Sequence, residues 1–116
     1  MKLHKRTDIR HGSDWTVWRG EQAATRQLVL VKEVNRQSPY LPQLVARLRD
    51  EVQFFQRLNH AQFPKVIALD PDGMRAIFSD AQCNLTRYTA AHGPLPPTLV
   101  ANVLAMAAAL GIRCET

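Results

Sequence analysis

The spacing of hydrophobic positions changes several times along this chain, and each change marks an element. After Thr7 and Ile9, the group His11-Gly12-Ser13-Asp14 signals a turn. Trp15-Thr16-Val17-Trp18-Arg19 then alternates, with aromatic and β-branched residues favoured in strands. Gly20 to Arg26 is a polar connection. Leu28-Val29-Leu30-Val31-Lys32-Glu33-Val34 carries apolar side chains on both faces, as a strand inside a sheet does. The pattern predicts three antiparallel strands in a meander. Residues 1–6, basic and without alternation, read as a flexible end.

The period then lengthens. Leu41, Leu44, Val45, Leu48, Val52, Phe55 and Leu58 follow the i, i+3, i+4, i+7 spacing of an amphipathic helix, with polar residues between them. The helix is expected from Leu41 to Leu58, ending before Pro64. Lys65-Val66-Ile67-Ala68-Leu69 and Met74-Arg75-Ala76-Ile77-Phe78 flank the turn Asp70-Pro71-Asp72-Gly73 and make a second hairpin. Leu85 to Ala91 reads as a short helix. Pro96 and Pro97 open a last one through Leu99, Val100, Val103, Leu104, Met106, Ala107 and Leu110, with Gly111 as its stop. The fold class is therefore α+β: a five-stranded antiparallel sheet with one long helix, followed by two C-terminal helices.

Composition narrows the picture only a little. A length of 116 residues suits one small domain, and 46% hydrophobic content suits a globular one. No apolar run is long enough to span a bilayer, and no apolar core follows the basic start, so a cytoplasmic protein away from membranes is expected. The net charge of +5 is dispersed along the chain. No arginine-rich run with interleaved aromatics is present, which argues against a nucleic-acid partner. The two cysteines, Cys83 and Cys114, form no C-x-x-C pair, and the four histidines are scattered. Neither a disulfide nor a metal site is expected.

Lys32 is the residue that needs an explanation. Strand alternation puts it on one face with Leu28, Leu30 and Val34, where an ammonium is costly without an anion. The anion is on the long helix. At about 3.6 residues per turn, Glu51 falls at the edge of the apolar stripe near Leu44 and Leu48, while Asp50 points to water. A helix packed on the sheet would bring Glu51 to Lys32. The pair would then hold the lysine head ready for a second anion such as a phosphate.

With these residues placed, residues 7–110 resemble the N-terminal lobe of a protein kinase of the bacterial Hanks Ser/Thr type. Thr16-Val17-Trp18-Arg19-Gly20 is similar to the strand whose valine roofs the nucleotide base. Leu30-Val31-Lys32 resembles the V-A-I-K strand. Glu51-Val52-Gln53-Phe54-Phe55-Gln56-Arg57-Leu58-Asn59-His60 is similar to the αC pattern E-x-x-x-L-x-x-L-x-H. Ala76-Ile77-Phe78-Ser79-Asp80 resembles the fifth strand and hinge, with Phe78 at the gatekeeper. Asn84-Leu85, Arg87-Tyr88 and His92-Gly93-Pro94-Leu95-Pro96 look like the next helix and its exit, and the last helix resembles the one after it.

The resemblance implies an ATP site. Lys32 would meet the α- and β-phosphates and Glu51 would hold Lys32. Val17 and Leu30 would line the adenine pocket beside Phe78, and the backbone of Ser79, Asp80 and Ala81 would bond the base. The glycine-rich loop falls on Arg10, Gly12 and Trp15, so only Gly12 keeps the family's residue, and Leu30 is larger than the alanine it replaces. It also implies three segments: residues 1–6 as a basic end, 7–82 as the lobe, and 83–116 as the start of a second lobe. No H-R-D-x-x-x-x-N loop and no D-F-G lies within the 116 residues, which reads as truncation before the catalytic loop. Magnesium would then require a second lobe, and catalysis has no residue here.

Three functions stay open at this point: an ATP-binding portion of a kinase-like protein that cannot transfer phosphate alone, a non-catalytic kinase-like (pseudokinase) module that binds a protein partner, and a basic polyanion-binding domain. The apolar face of the last helix, Val100, Val103, Leu104, Ala107 and Leu110, lacks a second lobe to cover it. It is expected to fold back on the sheet, to self-associate, or to leave the domain marginally stable.

Overall fold

In the computed structural model, which describes all residues but 59, 81 and 82, the apolar run Leu28–Val34 is the central strand, β3, of a five-stranded antiparallel sheet. The preceding hairpin supplies β1 (Leu3–His11) and β2 (Trp15–Gln22). The second hairpin, β4 (Val66–Leu69) and β5 (Arg75–Ser79), joins on the other side of β3, giving the order β1-β2-β3-β5-β4. Between the hairpins runs the long helix α1 (Leu41–Leu58). Two shorter helices follow, α2 (Leu85–His92) and α3 (Pro97–Ala109), so the described residues form the α+β fold that the pattern predicts.

β1 starts at Leu3, inside the basic stretch read from sequence as a flexible end. Leu3 and His4 pair with Gln22 and Glu21 of β2. The strand exists because β2 offers it a partner, and its outer side faces water, so it carries no apolar alternation to read. Its pairing is irregular between His4 and Thr7 and again between Asp8 and Arg10.

Register sorts the sheet into two faces. Val17 pairs with Lys32 and Lys32 with Ala76, while Leu30 pairs with Phe78 and Trp15 with Val34. These side chains share the face that α1 covers through Leu44, Leu48, Val52 and Phe55, all buried. The opposite face holds a smaller core of Trp18, Val29, Val31 and Ile77. There the Arg6 guanidinium lies 4.8 Å from the Trp18 ring, and the indole N–H of Trp18 donates to Glu33 Oε1 at 3.1 Å. Both faces of β3 are therefore dry, which is why Leu-Val-Leu-Val can run unbroken.

The turn between β4 and β5 depends on Gly73, whose φ of +75° suits glycine. Its N–H donates to Asp70 O at 2.8 Å and closes the turn.

The third core lies under the C-terminal half. Phe63, Cys83, Leu85, Val103 and Ala107 pack together beneath α2 and α3. Val103, Ala107 and Leu110 are all fully buried. Of the three outcomes open for this apolar helix, the structure takes the first: α3 folds back on the sheet domain.

Cys83 and Cys114 form a disulfide, against the expectation from their spacing. The residues sit 31 positions apart, and only the tertiary path brings their Cα atoms to 4.4 Å. The link is flanked by a two-residue parallel pairing of β6 (Cys83–Asn84) with β7 (Cys114–Glu115).

Asn84 holds this corner from two sides. Its side-chain oxygen accepts from the Arg87 N–H at 2.9 Å and caps α2, and its amide donates to Glu115 Oε2 at 3.0 Å. Asn84→Ala removes the cap and is expected to cost about 1 kcal/mol. A chemical-denaturation midpoint reads this, and an unchanged midpoint would mean that α2 is not stabilised through its cap.

Candidate functional site

The site begins with a lysine that the strand cannot leave exposed. Lys32 lies in the middle of β3, and its side chain is 3% exposed. Its ammonium donates to both oxygens of the Glu51 carboxylate, at 3.0 Å to Oε1 and 2.8 Å to Oε2. Glu51 is 8% exposed, and α1 positions it because its apolar stripe docks on the sheet beside Lys32. Strand alternation and the helical repeat together predict this pairing, and it is present.

Trp15 forms the third side. The Lys32 ammonium lies 4.2 Å from the centre of its ring, within cation–π range. Burial pulls the Lys32 pKa below the ordinary lysine value. The Glu51 carboxylate opposes this by charge and by hydrogen bonding, while Arg47 and Arg10 push further down. Burial outweighs the carboxylate because the charge has lost nearly all of its water.

A cleft of about 320 Å³ opens on this group, lined by Arg10, Asp14, Trp15, Lys32, Arg47, Glu51 and Ala109. Arg47, one turn before Glu51 on α1, brings its Nε to 3.9 Å from Glu51 Oε1. It is 70% exposed, so that contact contributes only about 0–1 kcal/mol. Its larger effect is to place an exposed guanidinium at the mouth of the cleft. In the sequence Arg47 is one of the polar positions between the apolar ones of the helix. The signal was available, since i and i+4 lie on one face.

The other expected site residues divide. Val17, Leu30 and Phe78 are buried on the same face as Lys32. Gly12 is exposed in the β1–β2 turn, where its N–H donates to Trp15 O at 2.9 Å. It does not line the cleft. The backbone N–H of Ser79 donates to Lys65 O at 2.8 Å and that of Asp80 to Leu28 O at 3.0 Å. These two N–H groups are engaged by neighbouring backbone carbonyls. The Asp80 carboxylate accepts from Arg19 Nε at 2.8 Å. Ala81 lies outside the described residues.

The Leu30–Phe78 end of this face is already covered. Leu110 is fully buried in one cluster with Leu30, Val34, Ala76 and Phe78, and Met106 and Ile112 pack against the same group. Nothing in the spacing of residues 97–112 located this contact, because an apolar helix face does not name its partner.

Away from the cleft, His60 is a packing residue. It stacks edge-on against Tyr88 and His92 at 4.9 and 4.8 Å. Among the described residues, no helix is long and apolar enough to cross a membrane. No protein-family model matches the chain, and no curated protein matches it.

Proposed function

We propose that this domain binds ATP through Lys32 and is the N-lobe portion of a Ser/Thr protein kinase-like protein. The observation that carries the reading is the buried Lys32–Glu51 pair, clamped between β3 and α1 above the Trp15 ring. Keeping two charges out of water is costly. A lysine head held in one place by a carboxylate is suited to meet a phosphate as well. Arg10 and Arg47 add positive charge at the mouth of the cleft, which favours a polyanion. Val17, Leu30 and Phe78 supply an apolar floor beside it.

Transfer of a phosphoryl group needs charge neutralisation by metal and an acceptor-orienting carboxylate. The 116 residues hold no H-R-D or D-F-G. Among the described residues, no three His, Cys, Asp or Glu side chains cluster to hold a metal ion. The share assigned to this domain is therefore nucleotide binding without transfer. Magnesium would bind only if a second lobe were supplied, as the kinase resemblance implies, and a cytoplasmic location, where ATP is plentiful, goes with the reading.

A second reading, a non-catalytic kinase-like module that binds a protein partner, is favoured by one observation. Leu110 of the same chain is buried in one apolar cluster with Leu30 and Phe78, where a base would lie.

The test is an ATP titration with and without magnesium, on oxidised and reduced protein. Saturable binding in the micromolar range is expected in at least one redox state. It should weaken at least tenfold, about 1.4 kcal/mol, in the Lys32→Met/Glu51→Leu double variant, which leaves no unpaired buried charge. No binding at millimolar ATP in either state would sink the nucleotide reading and leave the partner-binding one.

A further inference from the structure

The end of α3 is seated in the candidate site and tied down next to it. Ala109 lines the Lys32 cleft. Leu110 is buried with Leu30 and Phe78. Gly111 passes so close to β1 that a Cβ at this position would lie 2.7 Å from Ile9 Cγ2, and its φ of +72° also suits glycine. The stretch 109–112 thus runs between Ile9 and the floor of the apolar face. Three residues after Gly111, Cys114 is bonded to Cys83, and Ile112 packs on both neighbouring cores.

α3 has no side-chain cap at its start and no acidic or basic residue in its first or last turn. The stretch keeps its place through apolar contacts and through the Leu110, Gly111 and Ile112 N–H groups donating to Ala107 O and Ala108 O, and just beyond it the chain is tied by the β6–β7 pairing, the Asn84–Glu115 hydrogen bond and the disulfide.

We propose that residues 109–112 are a redox-latched plug over the Lys32 face, shut by the Cys83–Cys114 disulfide and released by its reduction. What the gate admits rests on the nucleotide reading above; the gate itself does not.

The chemistry is thiol–disulfide exchange with a small thiol or dithiol as reductant. Cys83 is 1% exposed while Cys114 is partly exposed, so attack falls on Cys114 Sγ. A reductant thiolate forms a new S–S bond to that sulfur, and the Cys83–Cys114 bond breaks. Cys83 leaves as a thiolate and takes up a proton. A second reductant thiolate attacks the reductant's own sulfur and releases Cys114, which is protonated in turn. Two electrons and two protons pass to the protein, and two reductant thiols become one disulfide. The 31-residue separation between the cysteines is then no longer a closed loop, and the stretch after α3 regains its chain entropy.

The test uses the full chain, oxidised and reduced with dithiothreitol, and a Cys83→Ala/Cys114→Ala variant as a second reduced-like form. Amide exchange at Leu110 and Ile112 and acetylation of Lys32 by a small amine-reactive ester are followed, with the β3 amides as the control for global fold. Reduction is expected to speed exchange at Leu110 and Ile112 at least tenfold and to make Lys32 reactive, with β3 protection retained. Equal exchange and equal Lys32 labelling in both states overturn the plug. So does loss of β3 protection in parallel, which would make the disulfide a staple of the whole fold. ATP titration on the same samples separates the two ideas. Binding confined to the reduced form supports both, and equal binding in both states overturns the gate. Accelerated exchange without ATP binding keeps the gate and rejects the nucleotide.

Discussion

Glu51→Ala is expected to destabilise this domain by about 3–5 kcal/mol. That is a large share of the roughly 5–15 kcal/mol typical of a whole domain. The reason is what the substitution leaves behind. Lys32 is 3% exposed, and both of its close acceptor contacts are the Glu51 oxygens. Without them the ammonium must give up its proton or pull β3 toward water. Arg47 and Arg10 near the same cleft make the first option easier and the charged state worse. The double variant Lys32→Met/Glu51→Leu removes both charges and keeps apolar volume, and it is expected to be as stable as the native chain or more so. Denaturant midpoints of the native, single and double proteins give the comparison. A loss below about 1 kcal/mol for Glu51→Ala, the range of an exposed pair, would mean that Lys32 reaches water and that the cleft is wetter than its packing indicates.

Phe55→Ala is expected to cost about 3–5 kcal/mol by opening a cavity between α1 and the sheet. Phe55 is 1% exposed. Its ring meets Phe54 at 5.7 Å and Phe78 at 5.5 Å, both edge-on, so two aromatic side chains lose a partner surface at once. Phe55→Leu, which keeps most of the volume, should cost clearly less. Because Glu51 lies one turn earlier on the same helix, a loosened α1 also carries the carboxylate away from Lys32. The two positions are therefore expected to couple, with the double loss differing from the sum of the single ones. Strict additivity would show that the helix pivots independently at its two turns.

Much of the site was legible from periodicity. The two-residue alternation of β3 and the helical repeat of α1 are strong local signals, and their intersection brings Lys32 and Glu51 together. The bounds of α1 follow from the same repeat, since its stripe begins at Leu41 and ends at Leu58. What stayed hidden depends on long-range placement. β1 carries basic residues through Lys5 and Arg6 and is a strand only because β2 pairs with it. Cys83 and Cys114 meet because α2 and α3 form a closed path between them, which their separation along the chain does not encode. Leu110 reads as one more apolar position on a helix, and only packing shows that it shares a core with Leu30 and Phe78. The engaged N–H groups of Ser79 and Asp80 are likewise a matter of which neighbours the sheet supplies.

The pairing irregularities have a consequence for the behaviour of the protein in concentrated solution. All of them lie on β1 and β4, the two outer strands: between His4 and Thr7, between Asp8 and Arg10, and between Val66 and Ala68. The inner pairings of β3 with β2 and β5 run without a break. A straight outer strand offers a row of unpaired N–H and C=O groups to any other chain. A bulged one, carrying charges such as Lys5, Arg6 and Arg10, does not present them in register. The sheet therefore ends where it ends, and the distortions that look like defects in β1 and β4 act against strand addition and fibril growth.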